Sequence, residues 1–269
     1  MEYKTADYHV HSTISPDAKG TMEEMCNAAM AAGIEEIAFT DHYEFYAGGI
    51  TGKYFNRGYL IRYFEELDKC RQMYEGRLII RSAMEFGQLH LDPEKASGII
   101  KSWPFDYLIG SVHKIDNIDL SHMEFRKDTG QQISDAYYSH LLKLARTGDF
   151  DCMGHLELYK RHCRKAGLPD DYDKYEDRIV QVLTALIERG KGIEVNTSGL
   201  RQGAGETMPG IRCLKLYKEL GGTVITVGSD AHLPEDVGSG FIEALGLVKK
   251  AGFDRIARYE KRMCLFQPL

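Results

Sequence analysis

The sequence predicts one α/β domain built as a parallel barrel, with its chemistry at the C-terminal ends of the strands. Three observations carry that expectation. Seven short apolar or β-branched runs recur along the 269 residues, each separated from the next by a segment with helical spacing. Several of these runs are almost continuously apolar, as strands buried on both faces are. No linker, repeat or low-complexity tract divides the chain, and its length suits one α/β barrel, so residues 1–269 read as a single domain.

In order, the runs are TADYHVH (5–11), EEIAFTDH (35–42), LIIRSAMEF (78–86), FDYLIGSVH (105–113), FDCMGH (150–155), GIEVNTS (192–198) and GTVITVGSD (222–230). The helix after the first run is TMEEMCNAAMAAG, where Thr21 and Glu24 make a capping box and Gly33 supplies the stop. RGYLIRYFEELDKCRQMY, ISDAYYSHLLKLARTG, YEDRIVQVLTALIERG and PGIRCLKLYKELGG are the further helices. Two segments break the rhythm, Tyr43 to Arg57 and Ile115 to Gln131. Both follow strand ends and read as loops over a site.

A hydrophobic fraction of 43% supports a real core. The formal charge of −6, with Lys and Arg scattered, disfavours nucleic acid as a partner. No apolar run reaches the roughly 18 residues of a membrane span, and the N-terminal MEYKTADYHVH lacks a signal pattern. A cytoplasmic protein without membrane contact is expected. Cys26, Cys70, Cys152, Cys163, Cys213 and Cys264 form no CxxC or regular framework and read as reduced thiols, mostly core filler.

Most runs end in a residue that can ligate a metal: His9 and His11, His42 beside Asp41, Glu85, His113, His155, and Asp230 with His232 just beyond. Only GIEVNTS ends without one. Alternation along a strand turns His9 and His11 to one side and Val10 to the other, so both imidazoles can reach one cation. A parallel barrel gathers all its strand ends on one face, which makes residues 9 and 232 possible neighbours. Six of the ten histidines lie at or within two residues of strand ends, too many for coincidence. Together with Asp17, Glu85 and Asp230 they exceed one ion's needs, and a thiolate-free set suits zinc, manganese or ferrous iron. Asp41 reads as a residue outside the ligand set that orients a ring. His140 and His162 read as structural or solvated, and His90 and His122 as candidates for the pocket mouth.

With HxH, TDH, a lone strand-end Glu, SVH, GH and GSDAH in this order, the sequence resembles the polymerase and histidinol phosphatase (PHP) family from His9 to Gly238. The longer strings SVHKID, EVNTSGLR and VGSDAHLPEDVG look like its histidinol phosphate phosphatase branch. The resemblance implies a distorted TIM-like (β/α)7 barrel with three divalent metal ions, zinc, iron or manganese. It implies hydrolysis of histidinol phosphate to histidinol and phosphate in histidine biosynthesis. By the same resemblance one ion takes His9, His11, Glu85 and Asp230, a second takes Glu85, His113 and His155, and a third takes Asp17, His42 and His232. The strings NIDLSHMEFRKD and QGAGETMPG depart from the family's pattern in loops that touch substrate.

A water held between two cations loses a proton near neutral pH, and that hydroxide is the expected nucleophile. Three divalent ions against three carboxylates leave a positive pocket, which suits a phosphate monoester. Lys160, Arg161 and Arg201 are the expected phosphate anchors, with arginine's fork the better fit. Glu85, Asp230 and His232 form the expected catalytic set; a water on the third ion, Asp230 or His232 could supply the leaving group's proton. The competing readings are a phosphoesterase acting on nucleotides or short oligonucleotides, a barrel hydrolase of carbon–nitrogen bonds, and a non-catalytic metal-binding protein.

Overall fold

The computed structural model describes residues 5–49, 55–169 and 172–269. Residues 50–54 of the expected Tyr43 to Arg57 loop, and the first four residues of the chain, lie outside the described residues. In chain order the strands are β1 (Thr5–Val10), β2 (Ile34–Phe39), β3 (His42–Glu44), β4 (Ile79–Gly87), β5 (Tyr107–Ser111) and β6 (Lys114–Ile115). There follow β7 (Ile118–Asp119), β8 (Cys152–Met153), β9 (Gly192–Asn196), β10 (Ile225–Gly228), β11 (Arg255–Glu260) and β12 (Met263–Pro268). The seven runs expected from the sequence become one parallel sheet in the order β1-β2-β4-β5-β8-β9-β10, with β3 added against the end of β4.

The two edges of this sheet meet, but only near their C-terminal ends. There His11 N donates to Ala231 O at 2.9 Å and Asp230 N to His9 O at 2.7 Å. Elsewhere on the seam a buried side chain stands in for the ladder: Asp7 accepts from Ser229 N at 2.9 Å and from Gly238 N at 3.0 Å. The barrel is therefore nearly closed, and distorted at the β1–β10 seam.

The helices are α1 (Met22–Ala31), α2 (Arg57–Met73), α3 (Pro93–Ser102), α4 (Gly130–Thr147), α5 (Tyr159–Lys165), α6 (Tyr172–Glu188), α7 (Ser198–Arg201), α8 (Ile211–Glu219) and α9 (Phe241–Lys250). The capping box of α1 forms as expected, and Gly33 follows at φ 73°. Helix α3 lies where no helix was expected, although Asp92 caps the Lys95 amide and Pro93 occupies the first turn, both start signals. Among the described residues no helix is long and apolar enough to cross a membrane. All six cysteines are free thiols, and five are buried.

The main apolar core lies between sheet and helices. A second, smaller cluster fills the barrel floor, where the small side chains of Ala6, Ala38 and Ala83 leave room for Tyr8, Tyr107 and Tyr259. Tyr259 comes from the C-terminal hairpin β11–β12, an element not expected from the sequence. Its amide donates to Tyr8 Oη at 2.7 Å, and Tyr8 Oη donates to Glu36 Oε1 at 2.6 Å. With the floor plugged, the open end of the barrel is the C-terminal end.

Candidate metal centre

At the end of β1, Val10 packs outward in the core while His9 and His11 turn inward, fully buried, with their Nε2 atoms 3.0 Å apart. His9 Nδ1 lies 2.6 Å from Glu194 Oε1. An Nδ1–H given to that carboxylate leaves Nε2 with a bare lone pair aimed into the barrel. Asp230 Oδ1 completes the group, 3.3 Å from His11 Nε2 and 3.6 Å from His9 Nε2.

Glu85, at the end of β4, faces two groups at once. Its Oε2 lies 3.4 Å from His9 Nε2 and 2.9 Å from His42 Nδ1. Its Oε1 lies 3.0 Å from His113 Nε2 and 2.7 Å from His155 Nε2, and accepts from Ser111 Oγ at 2.6 Å. His113 is oriented in the same manner as His9, with Nδ1 2.7 Å from Glu44 Oε1. Gly87 makes that approach possible, since a Cβ there would collide with the Glu44 carboxylate. Asp17 Oδ2 then sits between His42 Nε2 at 3.3 Å and His232 Nε2 at 3.4 Å. The structure thus brings together every ligand candidate named from the sequence.

The donor chemistry fits divalent cations. Among the described residues three groups of donor atoms each lie within 4.8 Å of one another: His9, His11 and Asp230; His11, His42 and His232; and His42, Glu85 and His113. His42 Nδ1 and Glu85 Oε2 are close, yet neither has a hydrogen-bond partner. Two buried atoms that face each other without a hydrogen-bond partner are what cations held in this cluster would satisfy. Charge is balanced accordingly. Burial works to raise the Glu85 carboxyl, but His113, His9 and His42 outweigh it and hold it well below the usual range. Burial works to lower His9, yet Glu194, Glu85 and Asp230 hold it well above its ordinary value. Burial, with His232 and His42, pushes His11 well below its own. Asp230 at φ 54°, His155 at φ 23° and Glu157 at φ 78° carry left-handed backbone, a strain that concentrates at functional sites.

Glu194 was missed at the sequence level. Its Oε2 also accepts from the His155 amide at 2.8 Å and from Asn196 Nδ2 at 3.1 Å, so one carboxylate braces two histidines. The signal was present: Glu194 and Asn196 alternate with Ile193 and Val195, which puts polar side chains on one face of a fully buried strand. Asp41 does not orient a ring, contrary to expectation. It accepts from the amides and hydroxyls of Ser12 and Ser15 and shapes the turn after β1.

Seven of the nine donors, all but the fully buried His9 and His11, line the base of a cavity of about 460 Å³. Both expected loops reach it, through Tyr46 and Phe55 on one side and Asp119, Leu120 and Ser121 on the other. Arg161 lines it, with Nη1 bonded to Gln202 Oε1 and a buried Nε that has no hydrogen-bond partner. Arg201 sits one layer back, donating from Nη2 to Asp230 O at 2.9 Å, and its Nη1 has no hydrogen-bond partner. Lys160 is a correction. Its ammonium turns to the other side of α5, 2.9 Å from Glu157 Oε1 and 3.3 Å from Glu206 Oε1, because a buried charge needs paired partners. It ties α5 to the segment carrying Glu206 and does not face the cavity. Of the histidines outside the ligand set, His140 is structural as expected, while His90, His122 and His162 sort differently. His90 pairs with His140 at 2.9 Å and His122 is exposed, while His162 lines the cavity.

A family model described as PHP domain matches residues 7–198. A histidinol-phosphatase of Lactococcus lactis is 28% identical over 95% of this chain and 94% of its own length. A probable histidinol-phosphatase of Thermotoga maritima is 28% identical over 96% of this chain and 97% of its own. A crystal structure of histidinol phosphate phosphatase from Lactococcus lactis, complexed with zinc, L-histidinol and phosphate, matches with a TM-score of 0.83 at 27% identity. The match covers 97% of this chain and 99% of that one.

Proposed function

The chain belongs to the PHP domain family, and from that premise we propose that it hydrolyses L-histidinol phosphate to L-histidinol and phosphate. It acts as a metal-dependent phosphomonoesterase of histidine biosynthesis, working in the cytoplasm with residues 1–269 as one unit. The observation that carries this reading is Glu85, whose two oxygens face separate histidine groups at the base of a cavity.

Three divalent cations, zinc, iron or manganese, are assigned to the site. The first would be held by His9, His11, Glu85 and Asp230, the second by Glu85, His113 and His155, and the third by Asp17, His42 and His232. Bound there, divalent cations would neutralise phosphate charge and lower the pKa of a water molecule toward neutrality. The chain's own groups do the rest. Arg161, on the cavity wall, donates to phosphate oxygens, and Arg201, bonded to Asp230 O one layer back, adds positive charge behind them. Asp230 takes bonds from Ser198 Oγ at 3.1 Å and Asn196 Nδ2 at 3.3 Å on Oδ2, which turns Oδ1 toward His9 and His11; the Asp230 carboxylate or His232 would pass the proton lost by the attacking water to the leaving oxygen of L-histidinol. His232 Nδ1, 3.1 Å from Asp230 O, fixes the ring so that Nε2 faces Asp17. Phe55 and Leu158 supply apolar wall that limits water.

A substrate panel tests the reading. Metal-loaded protein should release phosphate from L-histidinol phosphate with a higher kcat/KM than from nucleoside monophosphates or a short oligonucleotide. A preference for the nucleotides would overturn it.

A further inference from the structure

Strand β12 is the outer strand of a two-stranded sheet, and its second edge has no neighbour among the described residues. The hairpin turns on Lys261 and Arg262, both left-handed at φ 49° and 65°, and the ladder closes with Glu260 opposite Met263. In a two-residue turn of this kind the closing pair exchanges its hydrogen bonds within the hairpin, and the direction alternates from there. Met263, Leu265 and Gln267 therefore bond inward to β11, and Leu269 N, in the same phase, donates to Asp254 O at 2.9 Å. The N–H and C=O groups of Cys264 and Phe266 point outward.

This edge stands clear of the barrel. Cys264 and Phe266 lie opposite Tyr259 and Ala257, so their side chains share the face that meets the floor, yet Cys264 is exposed and Phe266 is 43% exposed. On the other face Met263 is 62% and Leu265 48% exposed. Protein edges are guarded by charged side chains, a proline within the strand or a bulge. The strand MCLFQP has no charge, its proline stands at the last position, and its register with β11 has no bulge.

We propose that β12 is a homodimer interface and that its occupant is β12 of a second copy of this chain. Outward-facing residues at 264 and 266 match themselves under a two-fold axis through Leu265. Antiparallel pairing then sets Cys264 opposite the partner's Phe266, and Phe266 opposite the partner's Cys264, each pair exchanging both of its hydrogen bonds. The two Leu265 side chains meet across the axis, with Met263 beside the partner's Gln267. An uncharged strand meets its own copy without local repulsion, although the chain carries a formal charge of −6. Such pairing uses up the edge in both copies, so assembly closes at a dimer. The metal-ligand cavity opens at the opposite end of the barrel, so both cavities stay accessible and the inference is independent of the function proposed above.

Sedimentation of the full chain at micromolar concentration should give twice the 30.5 kDa mass of one chain. Leu265→Lys sets two ammonium groups against each other on the axis and should raise the dimer dissociation constant about tenfold or more. A cross-link locates the pairing. Opposite residues of a pair without mutual hydrogen bonds have Cα atoms about 4.5 Å apart, within disulfide reach. In a Cys264→Ser background, where the remaining cysteines are buried, Leu265→Cys should form a covalent dimer under oxidised glutathione. Met263→Cys, opposite the partner's Gln267, should not. Leu265 is half exposed, so the cysteine variant reads the pairing even where the lysine variant fails to fold. A wild-type monomer throughout the micromolar range, a dimer unaffected by Leu265→Lys, or cross-linking at 263 as fast as at 265 overturns the inference.

Discussion

Glu194 shows how much of the site depends on residues that touch no cation. It receives His9 Nδ1, the His155 amide and Asn196 Nδ2, so it sets the direction of two imidazoles on different strands. Glu194→Ala should lower metal affinity by about 10- to 100-fold, as loss of an outer hydrogen bond to a ligand does. Competition with a chelator measures it, and wild-type affinity in the variant would contradict the role given to Glu194. Glu85→Ala should abolish nearly all phosphate release together with bound metal, whereas His140→Ala should keep both. The second variant leaves His90 Nε2 without its partner at 2.9 Å, so a loss of about 1–3 kcal/mol in denaturant stability is expected. Equal activity in the two variants would show that the ligand assignment is wrong. The ligand candidates were legible in the sequence because strand ends mark them. Glu194 was harder to read, because the partners that give it a role, His9 and His155, come from elements distant in sequence.

At the scale of elements, the strands were legible because buried parallel strands write themselves as apolar runs, and α1 because its cap is a local motif. Helix α9 announces itself poorly: it starts after Gly240 in a left-handed conformation and has no side-chain cap. The hairpin β11–β12 is obscured because β12 exposes Met263, Leu265 and Phe266, so its pattern does not alternate between core and solvent. The short turn Leu89–Leu91 after β4 has a measurable pH signature. Burial, with His140 and Lys143 adding to it, pushes His90 down to about 3. An unfolded chain binds a proton at this residue near pH 6.5, the folded one only near pH 3, so folding is weakened as pH falls between those values. His90→Gln should therefore flatten the decline of stability between pH 7 and 5, by up to about 1.4 kcal/mol per pH unit. Thermal or denaturant melts across that range decide it, and parallel declines would contradict the assignment.

Across the whole molecule, the two ends of the barrel are built for different work. The floor is sealed by Tyr8, Tyr107 and Tyr259, and Arg258 Nη1 binds Glu36 Oε2 at 2.9 Å, while the open end gathers imidazoles and carboxylates. Tyr259→Ala should cost roughly 3–5 kcal/mol of stability, in the range of large aromatic truncations. It should leave the activity of the folded fraction intact, because no residue of the floor reaches the cavity. Loss of turnover without loss of stability would show that the hairpin acts on the site. We propose that a metal cluster centred on Glu85 makes this barrel a phosphatase for L-histidinol phosphate. The most direct measurement is phosphate release from L-histidinol phosphate by protein whose metal is counted, stripped with chelator and restored. Release that disappears on stripping and returns with zinc, manganese or ferrous iron is the predicted result; release that persists in metal-free protein, or none at any metal loading, would contradict it.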